Sequence, residues 1–102
     1  MSSTLLVYPD SLSGPYHFKM PTKSYFAEAF FDHDGSGGGP GALLAVEEVA
    51  PVVDRAVADL EKRVKSYDSE WAAVIERHDL RPLRRLQRSL RASQTVTFEW
   101  LI

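Results

Sequence analysis

A 4–3 spacing of mostly apolar residues runs from Val46 to His78 through Ala50, Val53, Val57, Leu60, Val64, Tyr67, Trp71 and Val74. That is the spacing of a helix with one sticky seam, held for more than four heptads. A helix over 51–78 would be about 42 Å long at 1.5 Å per residue. A compact domain of this length has a radius of gyration of only about 13 Å. Such a helix needs cover along its whole length, from its own chain or from a second copy. The seam residues Val53, Val57, Leu60, Val64, Tyr67 and Trp71 are therefore the first candidate interaction surface, and a coiled-coil homodimer is the expectation they raise. Tyr67 and Trp71 are bulky for a two-stranded seam and mark either globular packing or a binding hot spot.

The seam stops at His78, because the next positions in phase are Arg81, Arg85 and Arg88. Guanidinium groups cannot replace Val and Trp in a buried stripe without a large desolvation cost. The chain is expected to turn near Asp79, with Asp79 as cap and Pro82 in the first turn of a new helix over 80–92. That helix packs Leu83, Leu86 and Leu90. Its opposite side carries Arg81, Arg84, Arg85, Arg88 and Arg91, with Arg77 just before it. Six arginines against the single Asp79 contrast with the preceding stretch from Glu28 to Glu76, which has eleven acids and four bases. Arginine favours bidentate carboxylate contacts, so an acidic protein surface is one target for this face. A phosphate backbone is the other, with a steep salt dependence as its signature.

The remaining segments read mainly as strands. Thr4–Tyr8 is β-branched and aromatic and stops at Pro9. Ser11–Pro15 is turn material. Tyr16, Phe18 and Met20 alternate with His17 and Lys19. Ser24–Phe31 fits either a helix capped by Thr22 or Ser24, or a strand, and its aromatic density favours the strand. Thr95–Ile102 alternates cleanly, with Val96, Phe98, Trp100 and Ile102 on one face. Between these lies Asp32–Gly41, whose five glycines in ten residues predict a flexible loop. Pro51 falls on the polar side of the long helix, and the seam keeps its phase across it. This favours a kinked helix that starts near Ala42. The rival is a strand over 42–46 that forms a hairpin with 25–31.

Chemistry-bearing motifs are sparse. Asp32-His33-Asp34-Gly35-Ser36-Gly37 resembles the first half of an EF-hand calcium loop. The resemblance implies Asp32, Asp34 and Ser36 as the first oxygen ligands. Its second half departs, with Gly39 at the eighth position and Leu43 where a bidentate Glu belongs. His17, His33 and His78 lack a metal-ligand spacing. Ser11, Ser13 and Ser24 near His17 form no nucleophile constellation. The absence of cysteine excludes disulfides and thiol catalysis. No apolar run approaches the ~20 residues of a membrane span. Met1-Ser2-Ser3-Thr4 lacks the basic start of a secretory signal, so a cytoplasmic location is expected.

These readings predict a single α+β domain over 1–102. A small, mainly antiparallel sheet of the N-terminal strands and 95–102 packs on a long helix and a shorter amphipathic one. The expected function is non-enzymatic and cofactor-free. The chain is expected to be a regulatory interaction protein that self-associates through the seam and meets an acidic partner through its arginine face. A nucleic-acid-binding regulator using the 80–92 helix is the alternative. A metal-binding or enzymatic site at Asp32–Gly37 is the weaker one.

Overall fold

Four antiparallel strands hydrogen-bond into one sheet in the computed structural model, which describes residues 3–11 and 14–101. Met1, Ser2, part of the expected Ser11–Pro15 turn including Ser13, and the strand end at Ile102 lie outside the described residues. The strands are β1 (Thr4–Pro9), β2 (Tyr16–Phe18), β3 (Ala42–Ala45) and β4 (Thr95–Leu101), in spatial order β2-β1-β4-β3. β1 and β4 form the centre, with Leu5 opposite Trp100 and Val7 opposite Phe98. The alternation expected of β4 is present: Val96, Phe98 and Trp100 face inward, while Thr97, Glu99 and Leu101 are exposed.

The helices cover that inner face, so the architecture is α+β as expected. They are α1 (Thr22–Phe30), α2 (Val46–Ser66), α3 (Ser69–Ile75) and α4 (Arg81–Leu90), with a π-helical turn over Glu76–Leu80 joining the last two. Three expectations about their limits need correction.

First, the segment favoured as a strand is α1. Phe26 and Phe30 are four apart, and a helix brings both rings onto Phe98, at centroid distances of 5.5 and 5.6 Å. A strand would also have turned Ala27 away from Phe26. In the helix both are buried, while Glu28 and Ala29 face outward.

Second, Ala42–Ala45 is a strand and not the start of the helix. It pairs with β4, from Ala42 opposite Phe98 to Ala45 opposite Thr95, so the alternative hairpin with 25–31 is absent too. α2 then begins at Val46, whose amide bonds the Gln94 carbonyl, and Glu47 and Glu48 complement its dipole in the first turn. Pro51 sits exposed within α2, and the helix runs through it.

Third, the long helix ends at Ser66, twelve residues before His78. Tyr67 and Asp68 are extended, and the Asp68 carboxylate accepts the Trp71 amide at 3.0 Å as the N-cap of α3. The reversal therefore comes at Asp68, not at Asp79–Pro82. A helix of 21 residues is about 31 Å long. It fits a molecule of 37 × 32 × 19 Å with a radius of gyration of 13.0 Å.

The shortened helix buries its own stripe. Val49, Val53, Ala56, Val57 and Leu60 lie against the sheet and α4, which contributes Leu83, Leu86 and Leu90 as expected. Burial of each Val or Leu side chain contributes about 1.5–3 kcal/mol. Val53, Val57 and Leu60 are thus closed inside the folded chain.

Candidate functional site

The part of the seam left uncovered lies past the break. Tyr67 and Trp71 are 44% and 62% exposed, and Val74, one turn further along α3, is 41% exposed. Met20, on the segment that leads from β2 into α1, is 47% exposed beside them. These side chains border two adjoining clefts of about 460 and 590 Å³ that share Met20, Pro21, Trp71 and Ile75. The geometry follows from the reversal at Asp68. α3 returns past the N-terminal end of α1, and its residues 71, 74 and 75, with His78 of the following π turn, are spaced at helical intervals and form one wall.

The polar groups of this groove are mostly basic. His17, Lys19, His78 and Arg63 line it together with the apolar residues. The one lining carboxylate is Asp79, at the floor and only 6% exposed. The Thr22 hydroxyl donates to it at 2.5 Å. Burial pushes the Asp79 carboxyl above the usual carboxylate range, against the Thr22 hydrogen bond and the nearby His78, which pull it down. Lys19 and Arg63 therefore give the rim two fixed positive charges, and its single acid is withdrawn from the surface.

The arginine face is divided. Arg77, Arg81, Arg85, Arg88 and Arg91 are exposed, but Arg84 reaches Glu76 at 2.6 Å and Glu61 at 3.4 Å. It ties α4 to α2 and to the π turn. Among the described residues it is the one arginine of the six in an ion pair. Its partner Glu61 belongs to the acidic stretch that the sequence places before the arginines, so part of the charge asymmetry is closed within the chain.

The glycine loop holds its acids for itself. The Ser36 amide and hydroxyl both donate to Asp34 Oδ1, at 2.9 and 2.6 Å, and these bonds hold the Asp34 carboxyl below its usual range. Two of the three ligands implied by the calcium-loop resemblance thus bond each other. Asp32 is exposed with φ of 57°. Among the described residues, no group of three His, Asp or Glu side chains is arranged to hold a metal ion.

Met20, Val74, His17, Lys19 and Arg63 were not singled out by the sequence pattern as a site. The available signal was local: Asp68-Ser69-Glu70 is an N-cap followed by an acid in the first turn, and Arg63 and Lys65 close the preceding helix. Among the described residues, no helix is long and apolar enough to cross a membrane. Comparison with protein families, curated proteins and solved structures finds none that this chain matches.

Proposed function

We propose that this protein is a small, non-enzymatic interaction module of the cytoplasm that captures an acidic segment with apolar anchors in the Met20–Trp71 groove. The observation that carries this reading is the pairing of exposed Met20, Tyr67, Trp71 and Val74 with a rim of Lys19, Arg63, His17 and His78. Aromatic and Met side chains supply contact area, and large exposed apolar patches with polar rims mark interaction sites. The rim selects for carboxylates and against basic partners. A helical peptide that sets Leu or Phe on one face and Glu or Asp beside it matches both features.

Titration with such synthetic peptides, read by calorimetry, tests the proposal. Trp71→Ala is expected to lose about 2 kcal/mol, roughly thirtyfold in affinity. Charge reversal at Lys19 and Arg63 should weaken acidic peptides and admit basic ones. Equal binding of acidic and basic peptides, or indifference to Trp71→Ala, would overturn it. If the occupant is a second copy, the mass in solution will rise with concentration and Trp71→Ala will abolish the rise.

The exposed Arg81, Arg85, Arg88 and Arg91 support a second reading, contact with phosphates along α4. Binding to duplex or single-stranded nucleic acid that falls steeply with salt, and flattens in Arg81→Ala/Arg88→Ala, would favour it over the groove.

A further inference from the structure

At the other end of α1, two buried hydrogen-bond donors lack partners. Trp100 Nε1 and His33 Nε2 are sealed from solvent, and neither has a hydrogen-bond partner. Trp100 is only 9% exposed. The His33 ring is oriented by the Gly35 amide, which donates to Nδ1 at 2.8 Å. An Nδ1 that accepts leaves the proton on Nε2, so both stranded atoms are N–H donors. They converge on one place. The position of a Cβ built on Gly39 is 3.5 Å from His33 Nε2 and 3.7 Å from Trp100 Nε1.

Stranded buried donors are rare in folded proteins. Here they are covered by the glycine-rich segment Gly37–Pro40. Its C-terminal end is pinned at Gly41, where any Cβ would collide with the Phe98 carbonyl oxygen. Its N-terminal end is pinned by the Asp34–Ser36 turn. Between them, a side chain at Gly37 would meet no neighbour, and Gly38 has φ of 70°, so few contacts hold the middle of the segment. Beside the donors lies a cleft of about 390 Å³ with Phe30, Phe31 and Pro40 in its walls.

We infer that Gly37–Pro40 is a lid over a ligand site, and that the site takes a small uncharged molecule presenting a carbonyl oxygen to the Trp100 and His33 N–H groups. Donors alone admit an acceptor and reject a cation. Asp32, exposed on the same cleft, disfavours an anion. The Phe30 and Phe31 rings favour a flat apolar body behind the carbonyl. The site does not depend on the groove proposed above.

Three probes of one shape test this: benzamide, benzoate and toluene. The readout is the indole N–H resonance of Trp100, told apart from that of Trp71 by Trp71→Phe. Benzamide is expected to move the Trp100 signal in a saturable way. Trp100→Phe removes one donor. His33→Asn keeps an acceptor for the Gly35 amide and removes the other donor. Each should weaken benzamide about tenfold, the loss of one hydrogen bond, with binding by Trp100→Phe followed through ring resonances of Phe30 and Phe31. Circular dichroism melts confirm that both variants fold. Tighter binding of benzoate would overturn the neutral-ligand assignment. An equal response to toluene would reduce the site to an apolar cleft. No response to any probe, or a long-lived water signal on the indole proton that benzamide does not displace, would refute the lid.

Discussion

Replacing Leu60 and Trp71 by alanine, one at a time, separates the covered part of the heptad pattern from the open part. Leu60 is fully buried in the core, whereas Trp71 is 62% exposed on α3. Leu→Ala at a closed site loses the transfer energy of the side chain and leaves a cavity, about 3 kcal/mol in a range of about 2–5. For a domain of this size each kcal/mol moves Tm by about 4–8 °C, so Leu60→Ala should lower Tm by about 12–24 °C. Trp71→Ala removes surface that the fold does not use and should cost less than about 1 kcal/mol. The assay is a thermal or urea melt of each variant at widely separated protein concentrations. A seam closed within one chain makes the Leu60→Ala penalty independent of concentration. A seam shared between copies would link Tm to concentration through mass action. A Leu60→Ala loss under about 1 kcal/mol, or a loss that disappears on dilution, would refute the intrachain assignment.

Further outcomes follow from individual contacts. Asp68→Ala removes the N-cap acceptor of the Trp71 amide and should cost about 1 kcal/mol by urea denaturation, with the helical signal of α3 weakened. Arg84→Ala should cost at most about 1 kcal/mol, since both of its ion pairs are partly exposed, and the difference should fade at high salt. Arg88→Ala, with no ion pair to lose among the described residues, should be neutral at every salt concentration. For Asp79 the sign comes from its raised carboxyl. Between the ordinary carboxylate value and the raised one, the folded chain binds more protons than the unfolded chain, so its contribution falls as pH rises through that window. Asp79→Asn should remove that decline in a series of melts across mildly acidic pH. Asp10 and Asp34 act in the opposite sense, because backbone amides of Gln94 and Thr95 and the Ser36 side chain and amide hold their carboxyls low. Their contribution is lost as pH falls.

Periodicity located the buried residues better than it located the ends of elements. The stripes of α2, α4 and β4 were legible because each buries one face at its own spacing, 3.6 or 2 residues. The end of the long helix was not, because a 4–3 pattern is blind to a local reversal. Tyr67 and Trp71 remain in phase with Leu60 although an extended Tyr67–Asp68 step separates α2 from α3. Ser24–Phe31 reads as a strand in the sequence because Phe and Tyr are enriched in strands on average. Here the i,i+4 spacing of Phe26 and Phe30 brought both rings to Phe98 and outweighed that preference. The groove was invisible for a different reason. Met20 and Trp71 are far apart in sequence, and the reversal at Asp68 is what brings α3 beside the start of α1. The stranded donors of His33 and Trp100 meet only because the glycine loop crosses the end of β4.

Pro82 shows how one residue shapes the floor of the groove. In a regular α-helix its amide would bond the His78 carbonyl, and proline has none to offer. The chain does not make the reversal there that the arginines in the seam's phase and Pro82 predict. It widens: the Arg81 amide bonds the Glu76 carbonyl, one residue further back than an α-helix allows. The extra residue is absorbed within Glu76–Leu80, and the buried stripe shifts register across it. Ile75 and Asp79 continue the phase of α3, while Leu80 opens the phase that Leu83 carries into α4. Both Asp79 and Leu80 are buried within the wide turn, and the polar one of the pair, Asp79, lands against Thr22 at the foot of α1. Burial of this carboxyl thus follows from the leucines that α4 must cover, the missing amide of Pro82 and the hydroxyl that α1 supplies. It leaves the exposed rim of the groove to Lys19, Arg63, His17 and His78.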